Sequence, residues 1–204
     1  TATWYLSADV LDGTEERFLN GAAVESATIS YDQGEAVTVD LTIIYADEPE
    51  VGGTYGSAPS SIQQPTKDDI ARWHGVSLDI DGGTVADLQS ASLDLAGLAR
   101  FRRGQSRFAS DAVVGAYEPS LTVEAILDGS ANRSLAYGSS TAVEPLDTID
   151  ESSGSLSIDN PAGTLATYNL SGLQPVNFDF ADLVSADTDI TDPVDFHVKD
   201  VTVA

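Results

Sequence analysis

Apolar and polar residues alternate with a period of two along most of this chain. Val37, Val39, Leu41 and Ile43 are separated by Thr38, Asp40 and Thr42, and just upstream Ala27, Ile29 and Tyr31 interleave with Ser26, Thr28 and Ser30. A strand sends successive side chains to opposite faces, so each run reads as a half-buried strand with its apolar set on the core. Asp32-Gln33-Gly34 supplies the turn, and these runs are expected to pair as a hairpin. The same logic predicts a second hairpin. Val76, Leu78 and Ile80 alternate with Ser77 and Asp79, Asp81-Gly82-Gly83 follows as a turn, and Ala91, Leu93 and Leu95 alternate with Ser90, Ser92 and Asp94.

Between these hairpins, residues 46–69 carry Pro49, Gly52, Gly53, Gly56, Pro59 and Pro65 with few core residues, which predicts a long loop. Structureless loops beyond about 15 residues are uncommon inside a compact domain and are usually functional or mobile. Strand signals return at Leu121 and Val123, Leu156 and Ile158, Leu165 to Leu170, Val176, Phe178 and Phe180, and Val194, Phe196 and Val198. Residues 130–138, from Ser130 as an N-cap to Gly138 as a stop, predict a short helix. No linker divides the chain, so the expectation is a mainly β fold in a single domain over residues 1–204.

Composition then narrows the function. Thirty-three Asp and Glu face nine Lys and Arg, a net charge of -24, while 42% of residues are apolar. Acidic disordered tails are poor in apolar residues, so this is a folded protein coated in acid. Such a surface argues against general nucleic-acid binding and against anionic membrane surfaces, both of which need cations. At ordinary ionic strength the like charges repel, whereas in ~1 M salt the Debye length is only about 3 Å. Lys67 and Lys199 are the only lysines, and the composition fits the solvent of a halophile. The absence of Cys removes disulfides, thiolate catalysis and Cys-based metal sites. No stretch approaches the ~18 apolar residues of a membrane span. Thr1 to Asn20 lacks the basic start and apolar core of a secretory signal, and Thr1 is expected as a mature start after loss of the initiator Met.

Catalytic signals are weak. No Gly-x-Ser-x-Gly elbow surrounds any Ser, and His74 and His197 read as strand-edge residues. With thirty-three carboxylates, a pair at glycosidase spacing arises by chance. Asp79-Ile80-Asp81-Gly82 lacks the remaining ligands of a calcium loop, and the run from Asp187 to Asp192 reflects acid enrichment, so no metal and no cofactor is expected. Asn132-Arg133-Ser134 and Asn169-Leu170-Ser171 match the glycosylation sequon, a short pattern that chance also produces. Arg100, Arg102, Arg103 and Arg107 concentrate positive charge in an acidic chain. They fit ion pairs within the subunit, ion pairs to the acidic face of a neighbouring copy, or, third in order, a nucleic-acid contact.

Gly21 to Ser30, the turn, and Glu35 to Leu41 resemble the opening hairpin of tail tube proteins from long-tailed, siphovirus-like viruses. His74 to Ile80, Leu88 to Asp94, the Arg-bearing segment, and Pro119 to Val123 before a short helix follow that family's order, so the resemblance spans Gly21 to Gly138. It implies a β-sandwich whose subunits form a ring-shaped β-barrel, in hexameric rings stacked into a tube that conducts DNA from capsid to host. Acid enrichment points to a virus of halophilic archaea.

On that resemblance the polar strand faces line the lumen: Ser77, Asp79, Ser90, Ser92 and Asp94 in one row, with Ser26, Thr28, Ser30, Thr38, Asp40 and Thr42 beside it. Arg100, Arg102, Arg103 and Arg107 are inter-subunit candidates, and Glu48, Pro49, Tyr55, Pro59 and Pro65 belong to an inter-ring loop. The implied partners are further copies of the chain, tape measure, terminator and distal tail proteins, and double-stranded DNA in transient passage, with no membrane. The implied location is the virion tail, assembled in the host cytoplasm. The competing reading is an extracellular β-sandwich adhesion or carbohydrate-binding module of a halophile, which exposed aromatics on a loop-rich face would favour; an acid-adapted hydrolase rests on abundant carboxylates alone.

Overall fold

The computed structural model describes residues 2–11, 13–49, 66–106, 108–109, 111–126, 131–139, 141–178 and 191–204. In chain order the strands are β1 (Ala2–Val10), β2 (Gly13–Asp32), β3 (Thr38–Ile44), β4 (Val76–Ile80), β5 (Gly83–Thr84), β6 (Leu88–Ala96), β7 (Ala99–Arg102), β8 (Asp111–Val114) and β9 (Glu118–Ile126). The helix α1 (Ala131–Ala136) precedes β10 (Ser152–Asn160), β11 (Gly163–Phe178), β12 (Thr191–His197) and β13 (Asp200–Val203). The mainly β expectation and the short helix both hold.

The chain divides into two compact units, one drawn from residues 1–27, 40–64 and 95–117, the other from 28–39, 65–94 and 118–204. In the larger unit the strands follow the hydrogen-bonded order β2-β6-β9-β12-β11-β10-β4-β5, with β13 also on β11. Among the described residues this order is an open path rather than a closed barrel. Period-two alternation explains the burial. Along β9, Pro119, Leu121, Val123 and Ala125 are buried while Ser120 and Thr122 are exposed. Register then stacks the apolar sets: Leu121 lies opposite Phe196 and Val123 opposite Val194, and Leu156 lies between Leu78 and Tyr168. Leu78, Leu93, Leu121, Leu156, Leu170, Leu173, Val194, Phe196 and Val198 are almost wholly buried and form the core of this unit.

In the smaller unit β1 pairs antiparallel with β2, Tyr5 opposite Phe18 with ring centroids 5.4 Å apart. The β7 and β8 strands form a separate hairpin, Arg100 opposite Val113 and Arg102 opposite Asp111. Gly97 and Gly115 allow a close backbone crossing at its base. A Cβ on Gly97, at φ +69°, would stand 1.7 Å from the Ala116 carbonyl oxygen, and one on Gly115 would stand 2.3 Å from that of Gly97.

The first expected hairpin is present: β3 pairs β2, and the Glu35 amide donates to the Asp32 carbonyl across the turn at 3.1 Å. The second is not. β4 turns at Asp81-Gly82 into the short β5 and pairs on its other side with β10, whereas β6 lies between β2 and β9. The turn signal was real, but it joins β4 to a two-residue strand. The chain then continues through Asp87, at φ 50°, before β6 begins. A second correction concerns β3. Its apolar set was expected on the core, yet Val39 and Leu41 are 55% and 44% exposed. β3 is hydrogen-bonded to β2 alone, and among the described residues no layer covers it.

Candidate functional site

The side of the larger sheet opposite its core is polar. On β2, Ala27, Ile29 and Tyr31 are buried and Ser26, Thr28 and Ser30 are half-exposed between them. On β6, Ala91 and Leu93 are buried and Ser90, Ser92 and Asp94 take the other phase. These rows meet directly: the Thr28 hydroxyl donates to the Asp94 carboxylate at 3.0 Å. Ser77 and Asp79 have the same polar phase on β4, but β9, β12, β11 and β10 separate them from β6 in strand order. Their neighbours are Ser157 and Ser155 on β10, and beyond these Thr167 and Asn169 on β11.

One pattern recurs on these strands. Thr122 donates to Asp195 at 2.8 Å between β9 and β12, and Thr84 donates to Asp79 at 2.6 Å between β5 and β4. Together with the pair between Thr28 and Asp94, three carboxylates are each oriented by a threonine hydroxyl of the adjacent strand rather than by a cation. Ser157 and Thr167 approach at 3.1 Å in the same manner between β10 and β11. No Lys or Arg occupies the polar-phase positions of these strands in the larger unit. The resulting surface offers phosphate oxygens hydroxyls and carboxylates, with no cation to hold them.

Thr38, Asp40 and Thr42 are exposed on β3, but so are the apolar residues between them, so β3 does not divide into a wet and a buried face. Arg100, Arg102 and Arg103 are exposed on or just beyond β7, and Arg107 lies outside the described residues. Among the described residues Arg100 and Arg103 have no carboxylate within ion-pairing distance. Salt bridges there include Arg17 with Glu15 and Glu48, and Lys199 with Glu151.

Of the loop candidates, Glu48 is exposed and accepts from the Tyr45 hydroxyl at 3.0 Å, which raises the Tyr45 pKa, and Pro49 is half-buried. Tyr55, Pro59 and Pro65 lie outside the described residues, as do Asp187 to Ile190 of the acidic run, whereas Thr191 and Asp192 open β12. At the far end of that loop, the Thr66 amide and hydroxyl both donate to Asp69, at 2.7 and 2.8 Å, and hold its carboxyl below the usual aspartate range. Among the described residues no group of three or more His, Asp or Glu is arranged to hold a metal ion. No helix there is long and apolar enough to cross a membrane. Asn169 is exposed on β11 and Asn132 lies in α1.

The site is composed of hydroxyls and carboxylates paired between adjacent strands. Residues 3–198 match the family described as phage tail tube protein, across both units. The chain belongs to the phage tail tube protein family. That membership places it among structural proteins of the virion tail. No curated protein sequence matches it. Among solved structures it is similar to the tube terminating cap of an anti-feeding prophage (16% identity, TM-score 0.48, 76% of this chain and 99% of that one). It is also similar to the sheath-tube complex of an extracellular contractile injection system (14%, TM-score 0.45, 63% and 87%) and to Hcp1 from Flavobacterium johnsoniae (14%, TM-score 0.42, 63% and 94%).

Proposed function

We propose that the chain is the tail tube subunit of a long-tailed virus of halophilic archaea, forming stacked hexameric rings whose lumen conducts double-stranded DNA. The observation that carries this reading is the polar sheet face, with carboxylates held by threonine hydroxyls and no Lys or Arg among them. In a tube, one watery face is the channel. A wall without cations forms no ion pairs with phosphates and so offers little drag on passing DNA. The family match from 3 to 198 supports treating the whole chain as one tail-tube-like domain. The loop over residues 46–69 is assigned to the next ring, and tape measure, terminator and distal tail proteins are the further partners. Electron micrographs of the purified protein at high concentration in concentrated salt should show six-fold rings or stacks. A strictly monomeric protein, without rings even beside other tail components, would overturn the assignment.

A second reading, an extracellular adhesion or carbohydrate-binding module, has one observation in its favour. Trp73 is exposed beside Arg72, His74 and Gly75, which with Ile70, Asp159, Asn160 and Pro161 line a half-open cleft of about 440 Å³. Glycan-array binding abolished by Trp73→Ala, in a protein that forms no rings, would select it.

A further inference from the structure

Residues 141–151 cross the surface without regular secondary structure, but the strap is pinned. The Leu146 amide donates to the Tyr137 carbonyl and that of Asp150 to the Gly138 carbonyl, each at 2.7 Å, while Ala142 is buried beneath. Gly138, at φ +123°, is required there, because a Cβ would stand 2.6 Å from the Thr148 carbonyl oxygen. This fixed backbone leaves Val143, Leu146 and Ile149 90%, 47% and 44% exposed, with part of the Leu146 side chain against Gly138. Between them stand Glu144 and Asp147, with Asp150 just after Ile149, all exposed, and the strap contains no Lys or Arg. Single exposed apolar residues are ordinary, whereas a row of them on a pinned strap is a surface that a partner covers. That partner must bring apolar contact and positive charge.

The β7–β8 hairpin has both. Residues 99–114 carry Arg100, Arg102, Arg103 and Arg107 against a single acid, Asp111, and expose Phe108 and Val114. In a chain of net charge -24 it is the conspicuous positive segment. We infer that the β7–β8 hairpin of one copy seats on the strap 141–151 of the next copy, an assignment that rests on the tube reading above. Every copy carries both surfaces, so the contact is head-to-tail and closes into a ring when the rotation permits. Arg forks suit carboxylates, and at contact distance such pairs lie within the ~3 Å Debye length that persists even in molar salt.

The chain has no Cys, which makes the test direct. Single replacements Gln105→Cys, near the hairpin tip, and Thr148→Cys, on the strap, are both at exposed positions. The two variants, mixed under ring-forming conditions and treated with a short bismaleimide, should give a cross-linked dimer that neither variant gives alone. Adding Arg103→Glu to the first should abolish that dimer, and adding Asp147→Arg to the second should restore it. Rings that form without the mixed cross-link overturn the inference and leave the tube reading standing. Protein that neither assembles nor cross-links overturns both. A cross-link confined within a chain bearing both cysteines overturns the inference, as does duplex DNA binding lost in Arg103→Glu with cross-linking unchanged.

Discussion

At the scale of single residues, the structure depends on a few positions where geometry admits one side chain. Gly97 combines a positive φ with a carbonyl oxygen 1.7 Å from where a Cβ would sit, and that oxygen belongs to backbone that cannot swing aside. Gly97→Ala is therefore expected to destabilise the protein by roughly 2–4 kcal/mol, read from denaturant unfolding. Gly104, where a Cβ meets nothing within 4 Å, is the control, and its Ala variant should stay within about 0.5 kcal/mol. Asp69 gives a pH prediction. The Thr66 amide and hydroxyl stabilise its ionised form, so its folded pKa lies below the unfolded value. The contribution is then present above the ordinary aspartate range and lost as pH falls through the depressed value. An NMR titration should place the Asp69 carboxyl midpoint below that of a free aspartate, with the Thr66 amide shift following the same curve. A midpoint at or above the free value contradicts the hydrogen bonds.

At the scale of elements, alternation located strands well and pairings poorly. β2, β6, β9, β10 and β12 are legible because burial alternates along them, and Gly138 with its positive φ ends the helix as expected; β11 alternates only around Leu170, with Leu165 and Val176 exposed. The expected β4–β6 pairing is absent because a turn signal reports a reversal and says nothing of how long the returning strand is. β1 is poorly legible, although Asp12-Gly13 in the sequence is a strong hairpin signal, because Ala2 to Val10 shows no clean alternation. The β7–β8 hairpin is hard to read for a different reason: Ala99 and Phe101 alternate with Arg100 and Arg102, but each strand is only 4 residues long, too short a run for the period to stand out. The polar residues of the candidate site were legible in phase, but their neighbours were not. Asp79 meets Thr84 across the local β4–β5 turn, but that Asp94 sits with Thr28 follows from strand order, which depends on contacts remote in sequence.

Strand order also makes the lumen assignment divisible. Asp94→Lys with Asp195→Lys alters the β6 and β12 positions, and Asp79→Lys alters β4 alone. If the β6 row lines the DNA path, virions carrying the first pair should eject their genome more slowly, most of all at the lowest salt they tolerate, because counterion release then adds most to phosphate contacts. Ejection unaltered in both variants would remove these rows from the channel. β3 invites a companion measurement: Val39→Ser with Leu41→Thr should shift the unfolding free energy of the free subunit by about 0.5 kcal/mol or less, since both are exposed, yet weaken ring formation. A large loss of subunit stability would show that β3 is covered within one chain.

At the scale of the whole molecule, charge decides more than any contact. Nine cations face thirty-three carboxylates, and the ion pairs among the described residues are exposed, which limits each to a few tenths of a kcal/mol. The repulsion is therefore left to the solvent. The Debye length falls from about 8 Å at physiological ionic strength to about 3 Å at 1 M, so the melting temperature should climb with KCl over that range. Salts also strengthen apolar burial, so a rising curve alone does not identify screening. A charge-reduced variant separates the two effects. Asp81→Asn, Asp87→Asn, Glu35→Gln and Glu118→Gln all fall at exposed positions, and Asn tolerates the positive φ of 52° and 50° at the first two. This variant should melt above the parent protein at low salt and converge with it at high salt, because screening removes only the advantage of having fewer charges. Parallel curves, or a parent protein more stable than the variant at low salt, would show that the acid coat is not held apart by solvent ions.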